Sequence, residues 1–307
     1  MISSPFDGIP EFTLSAQLES FTAAAIQLGV TSSAVGKSVT RLETRLGVKL
    51  LHRTTRKLTL TNEGEAYLGT CLSAMEALRG TEGLLATGQA EPRGRLKIDL
   101  PAAFGRRHIQ PLLIKLARQY KALDLSVTLS EKKVAMVEES VDLAVRIGDL
   151  KDDPELVARR LGEQSLVICA SPDYLRERPE VLDRKDLLKN DCIIGWRHGL
   201  RANWWLKEKN GTIVGQDIHV RHELADGESM LEATLSGCGL SQLPTWLVRE
   251  HLQNGELVTV LDQYAGARMP IHVIWPRTRF IQPKVRIIVD ELVAFAQSHP
   301  EIFLCGQ

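Results

Sequence analysis

Apolar positions recur at helical spacing in the N-terminal part of the chain, and further on they mix with strand-like alternation. Four apolar residues spaced three or four apart predict a helix over Ser32–Leu46, and they are Val35, Val39, Leu42 and Leu46. A shorter stretch of small apolar residues before Gly29 and Val30 predicts a preceding helix and a tight turn. Together these segments predict a helix-turn-helix.

Positive charge is concentrated on and after the second predicted helix. Between Gly36 and Thr61 there are seven Lys or Arg residues against one acid, Glu43. Hydroxyls at a helix N-terminus and cations along its side suit the major groove of DNA, although a basic helix face is more often only solvated. Over residues 52–61, cations and hydroxyls alternate with apolar residues, which predicts a two-stranded wing along a phosphate backbone and favours DNA binding.

A long helix is predicted after the wing, from residue 62 to about 88. Its heptad positions form an apolar seam with one polar break: Leu68, Met75 and Glu82 at position a, and Cys71, Leu78 and Leu85 at position d. Beside a DNA-binding head, this seam predicts dimerisation through the helix. The alternative is a helix that packs on its own domain.

Beyond a polar hinge at 88–94, strands alternate with helices, which predicts an α/β domain with a mostly parallel sheet. We expect strands at 95–102, 125–129 and 142–148, and helices at 108–120 and 134–140. A second lobe is expected to begin near Gln164 with a strand and to contain a two-residue hairpin turn at Asn210-Gly211. The strand from 270 and the helix 283–297 should return to the first lobe, which leaves a ligand cleft between two lobes.

Composition narrows the class of protein. The 307 residues, 44% of them hydrophobic, suffice for two or three domains, and 38 cations against 38 acids make the basic segment a local feature. Five cysteines without a CxxC pair predict reduced thiols. The sequence pattern predicts neither a signal peptide nor a membrane span. We therefore expect a cytoplasmic protein.

A dense motif runs through the predicted helices and wing: FTAAA-x-x-LGV-[ST]-x-SAV-x-K-x-x-x-RLE-x-RLGV-x-LL-x-RTTR-x-x-x-LT-x-x-G. It resembles the winged helix-turn-helix of LysR-type transcriptional regulators and matches from about Phe12 through Tyr67. Later, PAAFG, LVARRL, ASPDYL and GCGLSQLP resemble landmarks of that family's effector-binding domain. The resemblance implies an α/β multidomain protein with an N-terminal all-α winged helix-turn-helix, a long linker helix and a C-terminal two-lobed α/β domain resembling periplasmic binding proteins.

The expected domains are 1–61 for the DNA-binding head, 62–93 for the linker helix with its hinge, and 94–307 for the effector-binding domain. Lobe I is expected at about 94–163 plus 268–307, and lobe II at about 164–267. The family implies double-stranded DNA and a small-molecule effector as partners, and no cofactor. It also implies a homodimer through the linker helix and, because members commonly assemble as tetramers, a homotetramer.

Candidate DNA contacts are the hydroxyls and cations of the second helix and the wing arginines: Thr31, Ser32, Ser33, Lys37, Ser38, Arg41, Arg53 and Arg56. Many relatives carry Ser where this chain has Gly36, so that glycine marks either a lost side-chain contact or a close backbone approach. Candidate effector contacts lie on segments that border the cleft in relatives: Ala102, Ala103, Phe104, Arg146, Gly148, Trp196, Trp204 and Asp226. Tryptophans at such positions are more often core residues than ligand contacts, and Arg146 is open to an ion pair. Alanine at 102 and 103, where many relatives carry a hydroxyl, argues against a carboxylate-type effector.

Catalytic motifs are weak in this sequence. The glycines around Cys238 follow a predicted helix, the S-x-x-K at 130–133 lacks its partner motifs, and His219 and His222 should point to opposite faces of a strand. No catalytic or metal site is therefore predicted. The favoured function is a ligand-controlled DNA-binding regulator that is not an enzyme. The alternatives are a small-molecule binding or interaction module whose helix-turn-helix no longer reads an operator, and an enzyme with an appended helix-turn-helix.

Overall fold

The structure is a computed structural model that describes residues 6–53, 58–87, 91–132, 135–178, 180–195, 203–278 and 281–304. The chain divides into two compact units, Met1–Ala90 and Glu91–Gln307. The first unit is helical with a small hairpin, and the second is an α/β domain.

Three short helices build the first unit: α1 (Ile9–Gln17), α2 (Phe21–Leu28) and α3 (Ser32–Leu46). Both α2 and α3 begin at a hydroxyl N-cap: Ser20 accepts a hydrogen bond from the Ala23 N–H and Thr31 from the Ala34 N–H, each at 3.2 Å. Gly29 ends α2 in the left-handed region, at φ 67°, and so makes the turn. The helix-turn-helix is therefore fixed by local capping as well as by packing.

The wing follows as an antiparallel pair, β1 (Leu51–Arg53) and β2 (Leu58–Leu60). Its base is held by Glu43, which is buried on α3 and accepts hydrogen bonds from the Leu50 N–H at 3.0 Å and the Leu51 N–H at 3.2 Å. Lys49 forms an ion pair with the same carboxylate at 3.0 Å. The one acid of the basic segment, Glu43, is thus buried and anchors the base of the wing, and it does not place a negative charge on the surface.

The long helix α4 (Asn62–Thr87) starts directly against the wing. The Thr61 hydroxyl accepts a hydrogen bond from the Gly64 N–H at 2.9 Å and donates one to the Lys49 carbonyl at 2.7 Å. A Cβ atom at Gly64 would lie 2.0 Å from the carbonyl oxygen of Leu50, far inside van der Waals contact. Glycine at the end of the motif therefore lets the helix approach this closely.

The predicted heptad seam of α4 lies in two different environments. Cys71 is 4% exposed, Leu68 packs on the core of the head, and the Met75 sulfur accepts a weak hydrogen bond from a hydroxyl of α1 at 3.9 Å. Leu78, by contrast, is 52% exposed. The first half of the seam therefore packs on its own unit, as in the alternative considered for this helix, and dimerisation through the helix stays a prediction. The side chains at the last two heptad positions are outside the described ones: Glu82 and Leu85.

The second unit begins with β3 (Gly94–Leu100), α5 (Ala102–Phe104), a π-helical turn (Gly105–Ile109), α6 (Gln110–Gln119), β4 (Leu123–Leu129) and β5 (Leu143–Ile147). There follow β6 (Leu156–Ala170), α7 (Pro172–Arg176), a 3-10 turn (Arg184–Leu188), β7 (Cys192–Gly195), β8 (Asn203–Lys207), β9 (Ile213–Asp217) and β10 (Val220–Leu224). The remaining elements are α8 (Gly227–Leu235), β11 (Leu240–Pro244), α9 (Thr245–Gln253), β12 (Val258–Val260), a 3-10 turn (Asp262–Tyr264), β13 (Arg268–Pro276), α10 (Pro283–Ser298) and α11 (Pro300–Phe303).

Two groups of strands share β6. Up to Ser165 it pairs with β13, in the order β6-β13-β5-β3-β4, and from Leu166 it pairs with β11 and β12, in the order β10-β7-β11-β6. Strands β3, β4 and β5 run parallel, as do β7, β10 and β11. However, β13 is antiparallel to both its neighbours, and β6 is antiparallel to β11 and β12. The sheet is therefore mixed rather than mostly parallel, because the strands that cross between the lobes run against their neighbours.

Each group of strands has its own apolar core. Leu96, Ile98 and Val273 belong to the first core, together with residues of α6 and α10. Ile168 and Leu240 belong to a second core under β6, β7 and β11. The chain passes between these two lobes along β6 and again before β13, as the sequence rhythm suggested.

Several local predictions differ from the structure. The helix expected at 108–120 begins at Ala102, because a π-helical turn joins α5 to α6. Residues 136–140 form turns instead of the expected short helix, whose first position lies outside the described residues. The strand expected to start near Gln164 is continuous from Leu156. The hairpin connection has three residues, 209–211, because Glu208 N–H still bonds the Thr212 carbonyl at 2.8 Å.

Candidate DNA-binding surface and ligand cavity

One face of α3 is open to solvent and basic. Five residues line a shallow depression along it: Ser33, Gly36, Lys37, Thr40 and Arg41. They recur three or four positions apart, so they form one stripe on the helix. Thr31 is exposed and Ser32 is half-buried at the helix N-terminus, where free backbone N–H groups attract anions. The predicted residues of this helix, with one exception, therefore lie together on an accessible surface.

Ser38 is the exception. Its residue is only 6% exposed and packs on the buried side of α3 with Val35, Val39 and Leu42. The prediction that it contacts DNA is corrected by this orientation, because it follows Val35 by three positions on the core-facing stripe. Thr40 is exposed instead and was not among the predicted contacts. Its position, four residues after Gly36 and three after Lys37, indicates that it shares their face of the helix.

Gly36 has no intramolecular reason to be glycine. A Cβ atom built there would meet nothing within 4 Å, and the helix has ordinary φ at this position. Its exposed side lies between the side chains of Ser33 and Thr40. Folding of the head therefore does not require glycine at this position.

The structure describes the backbone of one wing arginine, Arg53, and the other, Arg56, lies outside the described residues. Arg53 ends β1 opposite Leu58, and its side chain is not among those described. Arg56 lies in segment 54–57, outside the described residues. Their predicted contacts with phosphate thus remain predictions.

The second unit contains a cavity of about 280 Å³ between its two lobes. The lobe of β3 contributes Pro101, Ala103, Phe104, Glu131 and Ile147, and β6 and β13 contribute Gln164, Leu166 and Met269. The other lobe supplies the rest: Ile194, Gly195, Trp204, Trp205, Ala225, Asp226, Gly227, Met230, Gln242, Leu243, Pro244, Trp246 and Leu247. Apolar walls with a few converging polar groups are typical of sites for small ligands.

Four of the predicted effector residues lie on the cavity wall: Ala103, Phe104, Trp204 and Asp226. Three do not, namely Ala102, Arg146 and Gly148, and Trp196 is outside the described residues. Arg146 is an ion-pair residue instead, since its Nη1 lies 2.7 Å from Oδ1 of buried Asp99. Burial raises the pKa of the Asp99 carboxyl, and the nearby Arg146 opposes that rise. The structure therefore shows the ion pair considered for Arg146, and its predicted effector contact stays a prediction.

Two carboxylates are the charged groups of the described wall. Asp226 caps α8, since its Oδ1 accepts a hydrogen bond from the Ser229 N–H at 2.8 Å. Although much of Glu131 is exposed, its Oε1 reaches inward and accepts a hydrogen bond from the Ala102 N–H at 2.9 Å. Desolvation raises the pKa of Glu131, the Ala102 hydrogen bond lowers it, and Asp226 raises it further. The two carboxylates are therefore close enough to interact.

Two amides and further aromatic rings complete the wall, and no sequence motif indicated these residues. Trp246 donates from its indole nitrogen to Gln164 Oε1 at 2.9 Å, while the Gln164 amide nitrogen lies 3.8 Å from the Met269 sulfur. Gln242 is held by both backbone groups of Trp205. Because these residues come from distant segments, no local motif brings them together.

A half-buried histidine, His108, lies behind the aromatic wall. The ring centroid of His108 is 5.2 Å from that of Phe104 and 4.9 Å from that of Trp246. Its Nε2 has no hydrogen-bond partner among the described residues. Burial, together with the positive charge of Arg107, lowers the pKa of His108 to about 4.

Metal binding, thiol reactivity and membrane spans were also considered for the described part of the chain. No group of three or more His, Cys, Asp or Glu side chains there could hold a metal ion. Four cysteines are free thiols, and burial raises the pKa of both Cys169 and Cys192 to about 12. None of the described helices combines the length and apolar character needed to cross a bilayer.

A winged helix-turn-helix with a basic open face, joined to an α/β domain with a cavity between two lobes, defines the class of ligand-responsive DNA-binding regulators. Family models agree: residues 11–65 match the bacterial regulatory helix-turn-helix of the lysR family, and residues 89–297 match the LysR substrate binding domain. The chain belongs to the LysR family. It is a LysR-type DNA-binding transcriptional regulator with an effector-binding domain, and it is not an enzyme.

Individual relatives agree over almost the full length. The transcriptional regulator DmlR of Escherichia coli is 33% identical over 299 residues, which cover 95% of this chain and 95% of DmlR. A transcriptional repressor of Pseudomonas aeruginosa is 32% identical over 93% of this chain and 90% of its own length. The structure of CrgA, a LysR-type regulator from Neisseria meningitidis, is similar with a TM-score of 0.59 at 29% identity, over 96% of this chain and 99% of that one. The predicted family, fold class and regulatory function are confirmed.

Proposed function

We propose that this regulator binds double-stranded DNA sequence-specifically, with the exposed face of α3 in the major groove and the wing along the phosphate backbone. The observation that carries the proposal is the uninterrupted basic stripe on α3, where Lys37 and Arg41 share one open face with small polar residues. The acid of this helix, Glu43, is turned inward and does not repel phosphate. This arrangement suits the docking of a recognition helix.

Different residues of this surface serve different purposes. Lys37 and Arg41 are long enough to reach base edges, where a bidentate contact contributes about 1–3 kcal/mol of discrimination. Thr31, Ser32 and Ser33 lie at the helix N-terminus, which favours phosphate contacts that set register. Arg53 and Arg56 are assigned to phosphate along the wing, and Thr40 joins the surface in place of Ser38.

The test is a gel-shift titration with DNA from the chain's own promoter, in excess nonspecific competitor. Arg41→Ala should abolish specific binding, lowering promoter affinity about ten- to a hundredfold, to the nonspecific level. Arg53→Ala should weaken specific and nonspecific DNA alike and flatten the salt dependence by about one unit of slope. Arg118→Ala removes an equally exposed cation from α6 and should bind as wild type does.

Unchanged promoter affinity in Arg41→Ala would contradict the assignment of α3 as the reading element. Wild-type protein that shows no salt-dependent preference for the promoter would instead favour an interaction module whose helix-turn-helix no longer reads an operator. These outcomes are separate because the first compares variants and the second compares DNA sequences.

We also propose that the cavity between the lobes is the effector site, and that the regulator acts in the cytoplasm as a homodimer through the second half of α4, with the homotetramer built from it. Support for the dimer surface is Leu78, which is exposed on α4 beyond the part that packs on the head. Leu78→Asp should then raise the dimer dissociation constant in sedimentation experiments. An unchanged oligomeric state would contradict this surface.

A further inference from the structure

We propose that the cavity takes a small cationic amine, with the ammonium group held by Asp226 and Glu131 and the apolar body packed on the tryptophans. This inference rests on the proposal that the cavity is the effector site, and it adds the chemical class of the effector. Its grounds are the charge, the unused hydrogen-bonding capacity and the aromatic surface of the wall.

Charge is the first ground. Among the described residues that line the cavity there are two acids and no Lys, Arg or His. Three described arginines of the same lobe already have partners: Arg106 and Arg107 both pair with Glu228, and Arg146 pairs with Asp99. An anionic ligand would therefore meet two carboxylates, of which Glu131 is compensated only in part by Arg146, whereas a cation would neutralise part of their mutual repulsion.

Unused hydrogen-bonding capacity is the second ground. Each carboxylate gives one oxygen to a helix N-terminus, namely Asp226 Oδ1 to the Ser229 N–H and Glu131 Oε1 to the Ala102 N–H. The described residues donate nothing to the second oxygen of either group. An ammonium carries three N–H donors, so it can bond both of these oxygens and leave one donor for another acceptor.

The third ground is the aromatic surface. Trp204, Trp205, Trp246 and Phe104 line the same cavity, and tryptophan faces attract cations as well as apolar groups. Buried Gln164 adds a donor, because its amide nitrogen has two N–H groups and the structure gives it only the weak Met269 sulfur acceptor at 3.8 Å. A volume of about 280 Å³ lies near the lower end for small-ligand sites, which favours a small amine.

The test compares three probes that share a phenylethyl body and differ in charge: 2-phenylethylamine, 2-phenylethanol and 3-phenylpropionate. Calorimetric titration of the full chain should give an affinity about tenfold or more higher for the amine than for the alcohol, since a charge-assisted hydrogen bond contributes that much. The acid should bind no better than the alcohol.

Matched variants identify the source of the preference. Asp226→Asn keeps a good N-cap and Glu131→Gln keeps an acceptor for the Ala102 N–H, so both preserve the structural roles while removing charge. Each should reduce the amine preference to within about threefold. Glu250→Gln, on the exposed side of α9, should leave it unchanged. Ala225→Trp fills the cavity mouth from an exposed wall position and should abolish binding of every probe.

Tighter binding of the acid or the alcohol, abolished by Ala225→Trp, would overturn the amine assignment and leave the effector cavity in place. An amine preference that persists in both amide variants would also overturn it. No binding of any probe, or binding insensitive to Ala225→Trp, would overturn both the amine assignment and the cavity as the effector site.

Discussion

The exposed face of α3 and the wall of the cavity differ in origin, charge and access to water. The face comes from nine consecutive positions of one helix, is basic and faces open solvent. The cavity wall comes from both lobes, is acidic and aromatic, and is partly closed to solvent. A polyanion needs an accessible surface that many weak phosphate contacts can share, whereas a small ligand needs enclosure, because few atoms must supply all its affinity. The two sites therefore impose opposite demands on one chain.

The largest expected effect is a loss of stability in the first unit that leaves the second unit unchanged. Gly64→Val places a side chain against the Leu50 carbonyl and should destabilise the head by about 3 kcal/mol or more, because overpacked cores cannot relax fully. Hydrogen–deuterium exchange of the full chain should show loss of protection in the first unit and unchanged protection in β3 and β13.

Gly69→Ala is the matched control on the same helix. A Cβ atom there would meet nothing within 4 Å, so alanine should stabilise α4 by about 1 kcal/mol. Equal exchange behaviour of the two variants would refute the close approach of α4 to the wing as the reason for glycine.

The next effect concerns acid stability and belongs to the cavity domain. The pKa of His108 is about 4 in the folded protein and 6.5 when unfolded, so the unfolded chain takes up its proton first as the pH falls. The corresponding stability is fully present above pH 6.5 and is lost between 6.5 and 4, by up to about 3 kcal/mol. Urea unfolding of His108→Phe, which keeps a ring against Trp246, should lose less stability than wild type over this range. Parallel pH profiles would show that the His108 ring is not the cause.

The smallest effect sharpens the reading of the α3 face. Gly36→Ala should stabilise α3 by about 1 kcal/mol, since alanine is the better helix former and space is free. If DNA approaches the backbone at this position, the same substitution weakens promoter binding despite the gain in stability. Opposite signs in thermal unfolding and gel-shift titration would support close approach. Improved binding together with improved stability would show that a side-chain contact is missing instead.

The contrast also explains how far the sequence could predict this molecule. The helix-turn-helix, the wing and the α3 stripe follow from caps, spacing and a motif within about fifty residues, so the head was predicted in detail. The sequence did not predict the orientation of two side chains. The spacing places Ser38 on the exposed face and Cys71 on a dimer seam, but both are buried in the head.

The cavity could be predicted only in outline. Alternating strands and helices indicated two lobes and a cleft, and four wall residues were named correctly as neighbours of that cleft. Glu131, Gln164 and Trp246 were missed because their positions depend on tertiary packing between segments far apart in sequence. The partner of Arg146 could not be named for the same reason, since only the fold brings Asp99 close enough to pair with it.

The change of pairing partners along β6, from β13 to β11 and β12, has a consequence for engineering of the domain. Ser165 and Arg268 are direct partners in the ladder, and the Leu166 N–H bonds the Ala267 carbonyl at 2.9 Å. The lobe between them therefore leaves and re-enters its host at neighbouring positions, about 5 Å apart as partnered strands are. In the sequence it is one contiguous insertion, residues 166–267, and we expect that it can be exchanged between relatives as a unit while the host sheet keeps its register.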